Sequence, residues 1–156
     1  MAKKKIAMIT VGCRANQADS AALLRQVDSS EVEIVNKVEL ADLVIINTCC
    51  VTSEAERDCR KMARRSLAAS DYTRVLLMGC AVNAFPDFPT SVGADGDSRI
   101  EYFHEGNGEA PTVATRINQL LNKAEEGADY IGFSPRVLGR TRALLKIQNG
   151  CSHGCA

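Results

Sequence analysis

The stretch Ala41–Thr48, ADLVIINT, is almost continuously apolar. A strand with one wet face alternates apolar and polar residues, whereas a strand covered on both faces does not. This run therefore predicts the middle of a parallel sheet sandwiched between helices. Parallel neighbours need long crossovers, usually helical, and the rest of the chain supplies them. Apolar runs at residues 5–11 (KIAMITV), 31–36 (EVEIVN), 73–78 (TRVLLM) and 99–104 (RIEYFH) read as four more strands. Between them, Ala18, Ala21, Ala22, Leu24 and Val27 recur at helical spacing from Asn16 onward. A second helix is expected over Ser53–Ala69, with Ser53 as N-cap and Glu56 completing a capping box. Arg64 and Arg65 stand toward its far end, where the helix dipole favours cations. A third helix is expected from Pro111 to Glu126, with Val113, Ile117, Leu120 and Leu121 on one face and Pro111 in the first turn. Pro86, Pro89, Gly93 and Gly96 mark the stretch after Cys80 as loop and turns with one short helical turn. The predicted class is α/β: a parallel sheet of about five strands with helices on both faces, flavodoxin- or Rossmann-like.

Length and composition narrow the function. The 156 residues suit one domain with a short appendage. Nineteen basic and nineteen acidic residues cancel, which excludes a globally basic nucleic-acid binder but not a local patch. Aromatics are 4% with no Trp, a poor supply of stacking platforms for single strands. The apolar runs fall short of a membrane span, and the basic start followed by a short strand is not a secretion signal. A reducing, cytoplasmic setting is expected. Seven cysteines then stand out, an odd number in a compartment that disfavours disulfides.

Three of them occupy one kind of place. Cys13, Cys49 and Cys80 each follow a predicted strand, in ITVGC, INTCC and LLMGC. The carboxyl ends of parallel strands share one edge, where ligands bind. Gly12 and Gly79 let the backbone turn sharply there. Three thiolates suit zinc with a fourth ligand, or a four-iron cluster with one iron left open. They also suit three small buried hydrophobes. Cys59 lies mid-helix and reads as inert; Cys50 either replaces Cys49 or points away from it. Cys151 and Cys155 form a C-x-x-x-C at the last residues, a metal motif cut in half or a tail with two free thiols.

Four blocks carry a family resemblance: GCRANQADS (Gly12–Ser20), INTCCVTSEAERDCRKMARR (Ile46–Arg65), MGC (Met78–Cys80) and ALLKIQNGCSHGC (Ala143–Cys155). In this order they resemble the radical-SAM methylthiotransferases, the first three their amino-terminal domain and the last the entry strand of the radical-SAM barrel. The resemblance implies a domain at residues 1–128, a linker at 129–142 and the truncated start of the barrel at 143–156. It implies that Cys13, Cys49 and Cys80 hold an auxiliary [4Fe-4S] cluster. Cys151 and Cys155 match the first two ligands of a second [4Fe-4S] cluster that binds S-adenosylmethionine in a complete enzyme. It further implies tRNA and an electron donor as partners, with the chain by itself expected not to turn over.

NTC, one residue, then VT and an Arg-rich helix look most like the enzymes that methylthiolate threonylcarbamoyladenosine beside the anticodon. The alternatives in the family are the isopentenyladenosine tRNA enzymes and those acting on a ribosomal-protein aspartate. Arg14-Ala15, Cys50 and Ala81-Val82 depart from the first group's usual residues and leave the expected ligands intact. Outside the family, a zinc or thiol-redox module and an interaction domain with inert cysteines compete. Arg57, Lys61 and Arg64 share a helix face, flanked by Arg60 and Arg65, as an RNA-phosphate surface or a solvated one. Arg136, Arg140, Arg142 and Lys146 invite the same two readings. Asn16 and Asn47 are candidates to hydrogen-bond near the cysteines, though strand-end turns also favour Asn. Gly106–Pro111 lacks a phosphate-loop pattern, and His104 and His153 have no catalytic partner pattern.

Overall fold

The computed structural model describes residues 3–27, 32–104 and 112–121. In chain order the elements are β1 (Lys4–Thr10), α1 (Arg14–Arg25), β2 (Val32–Ile34), a short 3-10 helix (Val38–Leu40), β3 (Leu43–Thr48), α2 (Ser53–Ala69), β4 (Arg74–Gly79), α3 (Cys80–Ala84), α4 (Phe88–Val92), β5 (Ile100–Tyr102) and α5 (Val113–Leu120). The strands form one all-parallel sheet in the order β2-β1-β3-β4-β5. All six residues of β3 are buried, as the unbroken apolar run requires.

Side chains alternate across the sheet, so each strand feeds two cores. Val44 and Ile46 of β3 with Val75 and Leu77 of β4 pack under α2, α3 and α4, through Cys59, Ala63, Leu67, Ala81, Val82, Phe88 and Val92. Leu43, Ile45, Leu76 and Met78 point the other way, onto Leu23 of α1 and Ala114 and Ile117 of α5. Ile45 is fully buried in the central strand. Ile45→Ala is expected to cost about 2–5 kcal/mol, read as a lower urea midpoint with an unchanged slope.

Four local expectations are corrected. The N-cap of α2 is Thr52, whose Oγ1 accepts from the Ala55 amide at 3.1 Å, one residue before the expected Ser53. Glu56 is then free to pair with Arg60 one turn on. The helix outruns Arg64 and Arg65, so neither lies in its last turn; Arg99 serves that end instead, its Nη1 donating to the carbonyls of Leu67 and Ser70 at 3.1 and 2.9 Å. Asp97 grips Arg99 in turn. The stretch after Cys80 holds two short helices rather than one turn, anchored by buried Phe88 and Val92. The last described helix starts at Val113 behind a Thr112 cap, two residues after Pro111. Pro111, the expected continuation to Glu126, the linker and the strand at 143–148 lie outside the described residues.

The strand order reverses between β1 and β3. From β1 the chain crosses through α1 to β2 on one side, and it next returns to β3 on the other side. Loops leaving the carboxyl ends of β1 and β3 therefore diverge and leave a crevice. Among the described residues, no helix is long and apolar enough to cross a membrane.

Candidate metal centre

Cys13, Cys49 and Cys80 all stand at this crevice. Cys13 follows β1, Cys49 follows β3 and Cys80 follows β4. The β3–β4 register pairs Thr48 with Gly79, so the next residues of the two strands are Cys49 and Cys80. The three differ in exposure: Cys49 is fully buried, while Cys13 and Cys80 are exposed at the rim. Cys50 is half-buried, packed against the core on the α2 side.

Two glycines make the turns possible. Gly12 has φ +96°, and a Cβ there would lie 2.3 Å from the Cys49 Sγ. Only glycine lets the β1 loop pass this close to the cysteine sulfur. Gly79 has φ +92°, and a Cβ on it would meet the Asn47 Oδ1 at 2.3 Å and the Thr48 carbonyl at 2.9 Å.

A buried polar network ties the loops together. Asn16 Nδ2 donates to the carbonyls of Val11 at 2.9 Å and Thr48 at 2.8 Å, bridging the ends of β1 and β3. Its Oδ1 accepts from the thiols of Cys13 and Cys80, each at 3.8 Å. Those two sulfurs thus lie within twice that distance of one another. Asn47 Nδ2 donates to the Asn16 carbonyl and the Ser20 hydroxyl. Thr48 Oγ1 donates to the Met78 carbonyl at 2.7 Å and accepts from the Ala81 amide at 3.2 Å, bracketing Gly79-Cys80 against β3. Buried polar groups hold position only when satisfied, and these are.

Cys59 sits in the core of α2 as expected of an inert thiol, and burial pushes its pKa up to about 11. It also has a task the sequence did not reveal. Its Sγ accepts from the Cys49 amide at 3.4 Å and donates to the Cys49 carbonyl at 3.8 Å, clamping the backbone of that residue. At the rim, partial shelter raises the pKa of Cys80, and the neighbouring Cys50, Cys49 and Cys13 push it further. Binding a metal here would therefore release protons.

The three thiols are soft donors of the kind that hold zinc or an iron–sulfur cluster. Among the described residues, no three His, Cys, Asp or Glu side chains are grouped tightly enough to hold one metal ion together. A four-iron cluster is wider than one zinc, and each of its thiolates holds a different iron. Three soft donors stand around one crevice, and Gly12 leaves the Cys49 sulfur clear of a neighbouring Cβ.

The basic face of α2 is largely engaged. Arg57 pairs with Glu54, Arg60 with Glu56 and Arg65 with Glu39, and Arg64 Nη1 donates to the Val92 carbonyl. That pattern describes a salt-bridged, solvated helix surface. Cys151, Cys155, His153, Gly106–Pro111 and the basic residues at 136–146 lie outside the described residues.

Comparison with known proteins gives the lineage. Residues 5–89 match the family described as "Uncharacterized protein family UPF0004". The chain is 27% identical to the threonylcarbamoyladenosine tRNA methylthiotransferase MtaB of Bacillus subtilis, over 96% of this chain and 34% of that protein. It is 29% identical to the ribosomal protein uS12 methylthiotransferase RimO of Clostridium botulinum, over 99% of this chain and 36% of that protein. The corresponding RimO of Moorella thermoacetica is 25% identical over 97% of this chain and 35% of its own length. The chain thus spans about a third of the length of the curated relatives it matches. With the α/β fold, the switch-point crevice and the matched segment in hand, this chain belongs to the UPF0004 family, the amino-terminal domain of the methylthiotransferases.

Proposed function

We propose that Cys13, Cys49 and Cys80 hold an auxiliary [4Fe-4S] cluster, and that the chain is the sulfur-handling part of a radical-SAM methylthiotransferase. The observation that carries this reading is the shared crevice. Three strand-end loops bring three thiols to the point where the strand order reverses, and Asn16 fastens two of those thiols and all three loops. Three cysteines leave one iron without a protein ligand. When bound, the clusters supply an electron for reductive cleavage of S-adenosylmethionine and an open iron at which sulfur is held for transfer.

The protein's own residues shape that site. Exposed Cys13 and Cys80 would hold the group from the rim side of the crevice. Buried Cys49, gripped by Cys59 and backed by Gly12, anchors the inner side. Cys151 and Cys155 would supply two ligands of the second cluster, at the start of a barrel spanning residues 143–156 onward. Residues 129–142 then serve as the linker. By itself the chain is expected to bind but not to turn over. The full enzyme works in the reducing cytoplasm with an electron donor.

The substrate we favour is a tRNA adenosine derivative, threonylcarbamoyladenosine beside the anticodon. The NTC-x-VT block and the MtaB relatives support it. A second reading, ribosomal protein uS12, is favoured by RimO relatives of similar identity.

The ligand assignment is tested by substitution. With Cys13, Cys49 and Cys80 all changed to Ser, iron and sulfide retained after anaerobic reconstitution and desalting should fall to near nothing at this site. Cys59→Ser, which keeps a hydrogen-bonding atom in place, should retain the cluster. Equal retention by wild type and triple variant would overturn the assignment.

A further inference from the structure

We infer that Asn16 is a positioning residue that presets the spacing of the Cys13 and Cys80 sulfurs before any metal arrives; the metal arm of its test rests on the iron–sulfur reading above. The residue is buried, with 3% of its surface exposed. Its amide cannot turn over, because Nδ2 already donates to two backbone carbonyls, of Val11 and Thr48. Turning it would set Oδ1 against both of those acceptors. The fixed amide therefore offers a single carbonyl oxygen to the crevice. That oxygen meets two thiols from loops 67 positions apart in the chain, Cys13 and Cys80.

The position of Asn16 explains why one side chain reaches so far. It lies in the first turn of α1, three residues after Cys13, so the helix start carries it over the end of β1. Asn47 seizes its backbone carbonyl, and Ser20 and Thr10 extend the chain of bonds below. A shorter or branched side chain at this place could not reach both carbonyls and both sulfurs. Side chains that orient metal ligands commonly matter to metal retention by about 10–100-fold.

Two variants and one control separate positioning from mere stability. Asn16→Ala removes all four side-chain contacts, and Asn16→Ser keeps a small hydroxyl in case the alanine form does not fold. Ser20→Ala is the control, since it breaks the same network one step away without touching a sulfur. The first readout needs no metal. Dibromobimane becomes fluorescent only when it bridges two thiols, and peptide mapping identifies which. The metal-free wild type and Ser20→Ala should give the Cys13–Cys80 bridge at similar rates, and the Asn16 variants should form it severalfold more slowly while remaining folded by thermal melt. The second readout is iron release to a chelator after anaerobic reconstitution: the bound sulfurs have lost the protons they gave Oδ1, but Nδ2 still ties the Val11 and Thr48 carbonyls together, so release is expected to be about tenfold or more faster in the Asn16 variants than in Ser20→Ala. If folded Asn16 variants bridge as fast as Ser20→Ala, the positioning role is wrong. If the wild type bridges as expected but takes up no iron or sulfide, the iron–sulfur reading fails while the role of Asn16 stands.

Discussion

Gly79→Ala should destabilise the chain by about 3 kcal/mol or more, with two causes. Gly79 has φ +92° and ψ −161°, a backbone region open in practice only to glycine. The added Cβ would also lie 2.3 Å from the Asn47 Oδ1 and 2.9 and 3.1 Å from the Thr48 carbonyl and amide. Those Thr48 atoms are backbone in the central strand and have no room to retreat. Gly96 gives the cost of a positive φ without contacts, because it has φ +80° and a methyl group added there would meet nothing within 4 Å. Gly96→Ala should cost only about 1–2 kcal/mol. Denaturant melts of both variants check the difference, and equal losses would mean that the contacts around Gly79 carry no weight.

Gly12→Ala should damage the site more specifically. Its Cβ would fall 2.3 Å from the Cys49 Sγ and 2.4 Å from the Cys49 Cβ. Cys49 is fully buried and its backbone is clamped by Cys59, so the side chain cannot swing clear. The expected cost is about 3 kcal/mol, from overpacking together with the positive φ. Any folded fraction should hold a cluster at least about tenfold less firmly, because the displaced group is one of the three proposed ligands. Reconstituted iron per folded chain reads this directly. Unchanged iron in a folded Gly12→Ala protein would show that Cys49 is not a ligand.

Much of this architecture was legible in the residues because burial writes a period into them. The unbroken run in β3 announced a strand covered on both faces, and the split of Val44 and Ile46 from Leu43 and Ile45 between two cores bears that out. The two short helices were not legible. Each has five residues, too few to display a helical period, and Pro86 and Pro89 read as breakers. Pro89 in fact stands in the first turn of α4, where a missing N–H costs nothing. The α2 cap was misplaced by one residue because Thr52 and Ser53 are chemically alike and only the local dihedral decides between them.

The site divides the same way. That three cysteines gather at one edge followed from where they stand after strands. Asn16 and Asn47 were visible as candidates, but not what they hold, since the bond from Cys80 to Asn16 joins residues 64 apart. Cys59 gave no signal beyond its helical position, yet it grips the backbone of Cys49 from ten residues away. Contacts of this kind depend on the strand order, and local spacing does not encode that.

Acid-labile sulfide per chain, measured with iron and zinc after anaerobic reconstitution, tests the central claim most directly. Inorganic sulfide belongs to a cluster and to no other metal site considered for these cysteines. The account predicts about four sulfides with about four irons on the Cys13, Cys49 and Cys80 site. Stoichiometric zinc without sulfide, or a folded chain that takes up neither metal, would contradict it.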